Sequence, residues 1–128
     1  MAIKFKTLMV IKAVVCVVFG PILLFLPGPL LTLLGSSFGP GAAITAREYG
    51  AALLGNVMLT WIARAAEESV ARRAIVWDLF VYDAIAFVAV LLIQLSGGLN
   101  LLGWCIVAIY LFFALGFGYF LLPRRRVV

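Results

Sequence analysis

Residues 73–122 read RAIVWDLFVYDAIAFVAVLLIQLSGGLNLLGWCIVAIYLFFALGFGYFLL and contain the clearest evidence for the fold. Two apolar runs flank the short break SGGLN at 96–100. Each run reaches the roughly 20 residues that a helix needs to cross the hydrocarbon core of a bilayer. Because serine and glycine interrupt helices and the break is short, the pattern predicts an antiparallel helical hairpin with helices over about 73–95 and 100–122.

The apolar run nearest the N-terminus predicts another helix, over about 7–26. Pro21 lies in its second half and is expected to kink it, because proline lacks the amide proton that the helix uses there. Pro27-Gly28-Pro29 is then expected to end the helix. No small-x-small cleavage site follows the run, so we interpret it as a membrane helix and not as a cleaved signal peptide.

Residues 30–40, LLTLLGSSFGP, are predicted to form an apolar connection in the membrane interface. Pro40 suits the first turn of a helix, where no amide proton is needed, and the run after it predicts a helix over about 41–64. Residues 65–72, AAEESVAR, form the most polar loop. Together with the hairpin, these elements predict one domain over residues 1–128, an all-α integral membrane bundle of four transmembrane helices.

The composition also indicates a membrane protein. Of the 128 residues, 66% are apolar and 12% are charged. A soluble domain has about half apolar and about a quarter charged residues. Such a chain cannot cover itself with polar surface, which excludes an ordinary water-soluble globule, and it is much too apolar for a disordered chain.

The positive charges predict the orientation of the helices. Nine of the ten Lys and Arg residues fall on one side of the predicted bundle, and Arg47 falls on the other. The nine are Lys4, Lys6, Lys12, Arg64, Arg72, Arg73, Arg124, Arg125 and Arg126. Because basic residues favour the cytoplasmic side, both termini and the 65–72 loop are predicted to be cytoplasmic, with Trp104 and Tyr49 at the outer interface.

Few residues are suited to catalysis or to holding a cofactor. The chain has no His, which removes the commonest general base and metal ligand. Cys16 and Cys105 lie in separate apolar runs and are expected to pack as small hydrophobic side chains. No glycine-rich phosphate-binding or dinucleotide-binding motif is present. We therefore expect no enzymatic activity, no catalytic residue, no metal and no cofactor.

Polar residues within the apolar runs are the candidate site residues, since a polar group in hydrocarbon is costly without a partner. Cys16, Asn56, Asp83 and Tyr110 each fall near the middle of a different predicted helix. Asp83 lies about 15 Å from the inner boundary at the helical rise per residue. One interpretation is a carboxyl group that binds a ligand or a proton. The other is a structural hydrogen-bond network of Asp83 with Asn56 and Tyr110.

Lys12 and Asp78 are candidates for an ion pair nearer the inner end, because each lies about five residues into its predicted helix. In the alternative, Lys12 extends to the lipid headgroups and Asp78 to water. Tyr82 lies one turn beyond Asp78 and is placed to join the pair. Asp78 and Asp83 are about 140° apart around their helix, which argues against a shared carboxylate dyad.

Arg47, Glu48 and Gln94 lie at similar depths near the outer ends of their predicted helices. In one interpretation they form a polar pocket that opens to the outer side. In the other, Arg47 and Glu48 anchor the end of the helix at the membrane surface. In a pocket, Arg47 would bind an acidic or carbonyl group of a ligand, since guanidinium presents a fork of donors.

Four segments carry a resemblance to a known group of proteins. They are LLFLPGPLLTLLG at 23–35, AREYGAALLG at 46–55, the loop WIAR…ARRAI at 61–75 and the turn QLSGGLNLLGW at 94–104. In these features the chain resembles the small bacterial four-helix membrane proteins of the DoxX-like kind. The resemblance implies a four-helix bundle in the plasma membrane. It implies no particular activity and no catalytic residue.

The first functional expectation is a non-enzymatic, multi-pass protein of a bacterial plasma (inner) membrane, an accessory or scaffold subunit. Its expected partners are membrane lipids and other membrane subunits or further copies of itself, and not nucleic acid. The alternative is a small ligand-binding or transport protein with a polar site around Asp83 in the middle of the membrane. A quinone- or lipid-linked oxidoreductase is a weaker alternative, because the cysteines are far apart in sequence and no cofactor motif is present.

Overall fold

The structure, a computed structural model, describes residues 4–122. Over these residues it consists of helices and connecting turns, without a β-strand. The α-helices of this part of the chain are α1 (Phe5–Phe25), α2 (Pro27–Leu33), α3 (Pro40–Ile62), α4 (Val70–Leu95) and α5 (Gly103–Leu121). A 3-10 helix (Ala63–Ala65) follows α3. The predicted all-α fold is confirmed.

The starts of α2, α4 and α5 differ from the prediction. α5 begins at Gly103 and not at about 100, because residues 101–102 form a turn in which the Leu102 amide donates to the Asn100 side chain at 3.0 Å. Pro27-Gly28-Pro29 follows the end of α1 but also begins α2, because proline in the first helical turn needs no hydrogen-bond acceptor. α4 begins at Val70, earlier than predicted, because the Ser69 hydroxyl accepts a hydrogen bond from the Arg72 amide at 3.2 Å and caps the helix. Pro40 begins α3, as predicted.

Three of the described helices, α1, α4 and α5, are long and apolar enough to cross a membrane. α3 has 23 residues, which is also a sufficient length. It is not among the three apolar helices, since it contains Arg47, Glu48 and Asn56. The structure therefore supports a multi-pass helical membrane bundle, and the fourth crossing, by α3, stays a prediction.

The long helices pack as two antiparallel pairs, α1 with α3 and α4 with α5. α1 and α3 approach each other closely at Gly50. A Cβ atom added to Gly50 would lie 2.6 Å from the backbone nitrogen of Leu24 and 2.7 Å from the carbonyl oxygen of Gly20. Glycine at this position therefore permits backbone contact, which is a common way for membrane helices to associate.

Two apolar clusters fill the interior. The first joins the start of α1 to α4 and α5, and its buried members are Phe5, Leu8, Met9, Val76, Leu79, Phe113 and Phe117. The second lies further along α1, against α3, and its buried members are Cys16, Leu23, Ala46 and Leu53. Lys12 falls between the two clusters along α1. Polar groups therefore meet in the middle of the bundle, with apolar packing on either side.

Asn100, in the turn between α4 and α5, forms hydrogen bonds with the end of α2. Its backbone amide donates to the Leu34 carbonyl at 2.8 Å, and its side-chain amide donates to the Leu33 carbonyl at 2.7 Å. The side chain of Gln94 donates to the Asn100 carbonyl at 3.0 Å. These bonds tie the turn between α4 and α5 to α2, so the two helix pairs are joined at this end by hydrogen bonds to backbone groups.

Candidate functional site

The centre of the bundle contains a buried ion pair between helices of different pairs. The ammonium group of Lys12 on α1 lies 2.7 Å from Oδ1 of Asp83 on α4, and the two side chains are 3% and 0% exposed. The ammonium also lies 4.4 Å from the ring centre of Phe113 and 5.2 Å from that of Tyr82, distances suited to cation–π attraction. Each charge would be costly alone in apolar surroundings, so each requires the other.

The predicted pairing of Lys12 with Asp78 is wrong, and Lys12 does not extend to the lipid headgroups either. Asp78 is exposed, whereas Leu79 and Asp83 on the same helix are buried. Asp78 lies about 140° around the helix from Asp83, so only one of the two carboxylates can face α1. Matching the depths of residues on separate helices selected the wrong carboxylate, because depth does not specify the face on which a residue lies.

Three tyrosine hydroxyls from three helices meet beside the ion pair. Tyr82 on α4 donates a hydrogen bond to Tyr49 on α3, and a second hydrogen bond joins the Tyr49 and Tyr110 hydroxyls and so reaches α5. The Tyr82 and Tyr110 oxygens are 3.5 Å apart. Because the Lys12 ammonium lies over the Tyr82 ring, the ion pair and the three hydroxyls form one group of neighbouring residues. We call Lys12, Asp83, Tyr49, Tyr82 and Tyr110 the central cluster.

The predicted network of Asp83 with Asn56 and Tyr110 does not form. Asp83 binds Lys12 instead, and Tyr110 binds Tyr49. Oδ1 of Asn56 and Oδ2 of Asp83 are both buried without a hydrogen-bond partner among residues 4–122. The prediction matched these residues by their depth along the helices, but the direction and reach of each side chain decide which of them meet.

The residues predicted near the outer end do not come together in a pocket. Gln94 is buried and faces α5, where it lies against the backbone of Gly103 and binds the carbonyl of Asn100. Its role there is to close the turn after α4. Arg47 and Glu48 are exposed on α3. Their alternative role, as an anchor for the helix end at the membrane surface, stays a prediction.

A small, partly enclosed cavity lies between α1, α3 and α5, next to the central cluster. Its volume is about 60 Å³, and about 10–15 Å³ is enough for one water molecule. The polar residues on its wall are Lys12, Cys16, Tyr49 and Tyr110. The rest of the wall is apolar and consists of Val15, Phe19, Leu53, Ile106, Ile109 and Phe113. Asp83 is not part of the wall.

Sequence reasoning missed Tyr49 as a site residue. It was expected at the outer interface, but its hydroxyl lies in the central cluster. A signal for its position exists, because Tyr49 and the inward-facing Asn56 are seven residues apart and so share one face of the helix. The expectation of a buried, packed thiol is confirmed for Cys16 and wrong for Cys105, which is exposed on α5.

The chemistry available to the central cluster is binding and proton exchange. Its ammonium and hydroxyl groups can donate hydrogen bonds to a molecule in the cavity, and the Lys12–Asp83 pair can take up or release a proton. Comparisons with known protein families, with characterised proteins and with solved structures found no match to this chain.

Proposed function

We propose that this chain is a multi-pass membrane protein that binds a small molecule in its central cavity and moves it through the membrane. The observation that carries the proposal is the composition of the cavity wall. A buried charged side chain, Lys12, and the phenols of Tyr49 and Tyr110 face a space that is otherwise apolar. Membrane proteins retain ionisable side chains in their interior chiefly where a substrate, an ion or a proton uses them.

The proposal includes four membrane crossings. α3 follows α1 in the opposite direction along its length: Gly50 contacts the last third of α1, and Ala63 packs on the cluster that contains Phe5. If α1 crosses the bilayer, α3 crosses beside it. Arg47 and Glu48 precede Gly50 by less than one turn, so they lie near the level of the last turn of α1, from which side chains reach the membrane surface.

In the proposed orientation, both termini and the 65–72 loop lie on the cytoplasmic side of a bacterial plasma (inner) membrane. The start of α1, the α3–α4 loop and the end of α5 lie at one end of the bundle. Arg47 lies near the start of α3, at the other end. The basic residues at the first end are Lys4, Lys6, Arg64, Arg72 and Arg73. Arg124–Arg126 lie outside the described residues. The positive-inside rule supports this orientation, and the DoxX-like resemblance implies the same layout.

The test is to identify small molecules that stay bound to the purified full chain. The protein is extracted in mild detergent and analysed by native mass spectrometry as the wild type and as two variants. Val15→Phe enlarges a side chain on the cavity wall, whereas Val14→Phe makes the same change at a neighbour that is 53% exposed. We expect a stoichiometric ligand on the wild type and on Val14→Phe, and much less on Val15→Phe. No ligand on any of the three, or equal loading of both variants, would contradict the proposal.

A second candidate function is that of an accessory or scaffold subunit in a larger membrane complex. The observation that favours it is the outward face of α3, where Ala51, Ala52 and Gly55 are exposed. Small side chains let another membrane helix approach closely. Co-purification of a stoichiometric membrane protein with the wild type, and its loss from Gly55→Leu, would support this function. Purification of the chain by itself under the same conditions would argue against it.

A further inference from the structure

We infer that the cavity binds the hydrogen-bond-accepting oxygen of a molecule with an apolar body, and that a carboxylate enters it only together with one proton. The inference rests on the proposed function and goes beyond it by specifying the chemistry of the ligand. Two features of the site carry it: the donors on the cavity wall and the charge balance of the Lys12–Asp83 pair.

The polar part of the cavity wall is rich in hydrogen-bond donors. An ammonium group has three N–H donors, and Lys12 uses one of them on Asp83, so two lack an acceptor among the described residues. The Tyr82 hydroxyl donates to Tyr49, and either oxygen can donate in the Tyr49–Tyr110 bond. When Tyr49 donates to Tyr110, the proton of Tyr110 is left for a ligand. A ligand oxygen near Lys12 and Tyr110 would accept from both.

The one unused carboxylate oxygen of the cluster is not available to a ligand. Oδ2 of Asp83 is buried without a partner in the described part of the chain, and Asp83 does not line the cavity. An amine or another cation in the cavity would meet the ammonium group of Lys12 and no free carboxylate. The site therefore favours an acceptor over a cation.

The charge of the site determines how an anion can enter it. Lys12 and Asp83 are neutral as a pair, and Asp78, the other acid on α4, is exposed on another face. The remaining titratable side chains near the pair are neutral when protonated, and they are Cys16 on α1, Tyr49 on α3, Tyr82 on α4 and Tyr110 on α5. A carboxylate alone would leave a net negative charge in an apolar interior, which is costly. One proton, taken from solvent with the carboxylate and carried either by the ligand or by Asp83, keeps the site neutral.

Cys16 provides a reporter for the cavity, because it lines the wall. The experiment uses the full chain in detergent with Cys105→Ala, which leaves Cys16 as the only cysteine. The rate at which methyl methanethiosulfonate modifies Cys16 is followed by intact-protein mass spectrometry. It is measured without a probe and with increasing amounts of methyl octyl ketone, decanoate or decylamine, which have the same chain length and differ in the polar group. Only the polar end of each probe is expected to enter the small cavity, with the chain extending from its open side.

We expect the neutral ketone to slow the modification of Cys16 to the same degree across the neutral pH range. Decanoate should bind more tightly as the pH falls, with an affinity that rises about tenfold per pH unit, because one proton is bound with each carboxylate. Decylamine should give no protection. This order follows from the N–H and O–H groups that Lys12 and Tyr110 offer to a ligand and from the neutral charge of the pair.

Asp83→Asn separates the pH dependence of the site from that of probe partitioning into detergent. The variant leaves the Lys12 charge without a counter-charge, so decanoate should bind it without a proton and lose the site's part of the pH dependence. Asp78→Asn makes the same change at the exposed carboxylate of α4, so it is the matched control and should keep the wild-type dependence. If Asp83→Asn does not fold, the wild-type dependence for decanoate is compared with that for the ketone.

The outcomes distinguish this inference from the proposed function. Protection by decylamine at or above that by the ketone overturns the inference and leaves the proposed function standing. The same pH dependence for decanoate in the wild type and in Asp83→Asn overturns the coupling to a proton. If Cys16 reacts in the unfolded protein but never in the folded one, the cavity is closed to small molecules, and the proposed function fails together with the inference.

Discussion

The Lys12 ammonium lies 2.7 Å from the Asp83 carboxylate, and this ion pair joins α1 to α4 across the middle of the bundle. The two helices belong to different antiparallel pairs. The hydroxyls of Tyr49, Tyr82 and Tyr110 connect α3, α4 and α5 beside it. Because an unpaired charge or hydroxyl in an apolar interior is costly, these contacts favour one packing of the two helix pairs over others.

Lys12→Met is expected to lower the free energy of unfolding by about 3–5 kcal/mol, because it leaves the Asp83 carboxylate buried without its partner. The double variant Lys12→Met/Asp83→Leu removes both charges and should recover most of this loss. Denaturation in SDS followed by circular dichroism measures both effects. Lys6→Met changes an exposed lysine near the start of α1 and should be close to neutral. A double variant that is as unstable as Lys12→Met would speak against the ion pair.

Gly50→Ala is expected to destabilise the contact between α1 and α3 by about 1–3 kcal/mol, because the added methyl group forces the backbones apart. The new Cβ atom would lie 2.6 Å from the backbone nitrogen of Leu24. Gly55→Ala is a matched control on the same helix, since nothing lies within 4 Å of the added atom. It should be neutral or slightly stabilising, because alanine is the better helix former. Equal effects of the two substitutions in the same denaturation assay would refute the close approach.

Tyr49→Phe should be the most destabilising of the three tyrosine-to-phenylalanine changes in the central cluster, by about 1–3 kcal/mol. Tyr49 lies between the other two hydroxyls, so its loss leaves both Tyr82 and Tyr110 without their shared partner. Tyr119→Phe changes a half-exposed tyrosine and should have little effect. Thermal unfolding of the single variants gives the ranking. A larger loss for Tyr82→Phe or Tyr110→Phe would show that Tyr49 is not the central hydroxyl.

Asn100→Ala is expected to loosen the turn between α4 and α5 and to cost about 1–2 kcal/mol. The substitution removes the side-chain bond to the Leu33 carbonyl and the bond accepted from the Leu102 amide. Hydrogen exchange measured by mass spectrometry should increase in residues 96–102. Ser37→Ala, at an exposed position in the loop before α3, is the control. Unchanged exchange in the turn would contradict the role of Asn100.

The long helices could be predicted from the sequence because each apolar run is bounded by proline, glycine or a polar loop. The predicted starts at 7 and 41 lie within two residues of the observed starts at Phe5 and Pro40. The short helix α2 was predicted only as an interfacial connection. Proline and glycine commonly end a helix, so Pro27-Gly28-Pro29 was interpreted as the end of α1. Proline also suits the first turn of a helix, and the sequence alone does not show that α2 begins there.

The candidate site could be predicted only in part. Lys12, Asp83 and Tyr110 stand out as polar residues in apolar runs, and all of them belong to the central cluster. Their partners were predicted from depth along the helix, which does not fix the rotation of one helix against another. The angle between Asp78 and Asp83 shows that only one of them can face the interior, but identifying which one requires the packing of the neighbouring helices.

The most direct test is the sidedness of the two ends of α3, because its crossing beside α1 places the central cluster in the middle of a four-crossing bundle. In a background with Cys16→Ala and Cys105→Ala, single substitutions Ser37→Cys and Ala66→Cys are labelled in intact cells with a membrane-impermeant maleimide. We predict that the cysteine at position 37 reacts from outside and that the one at position 66 reacts only after the cells are opened. Labelling of both positions from the same side would contradict the crossing of α3 and, with it, the proposed place of the Lys12–Asp83 pair in the membrane.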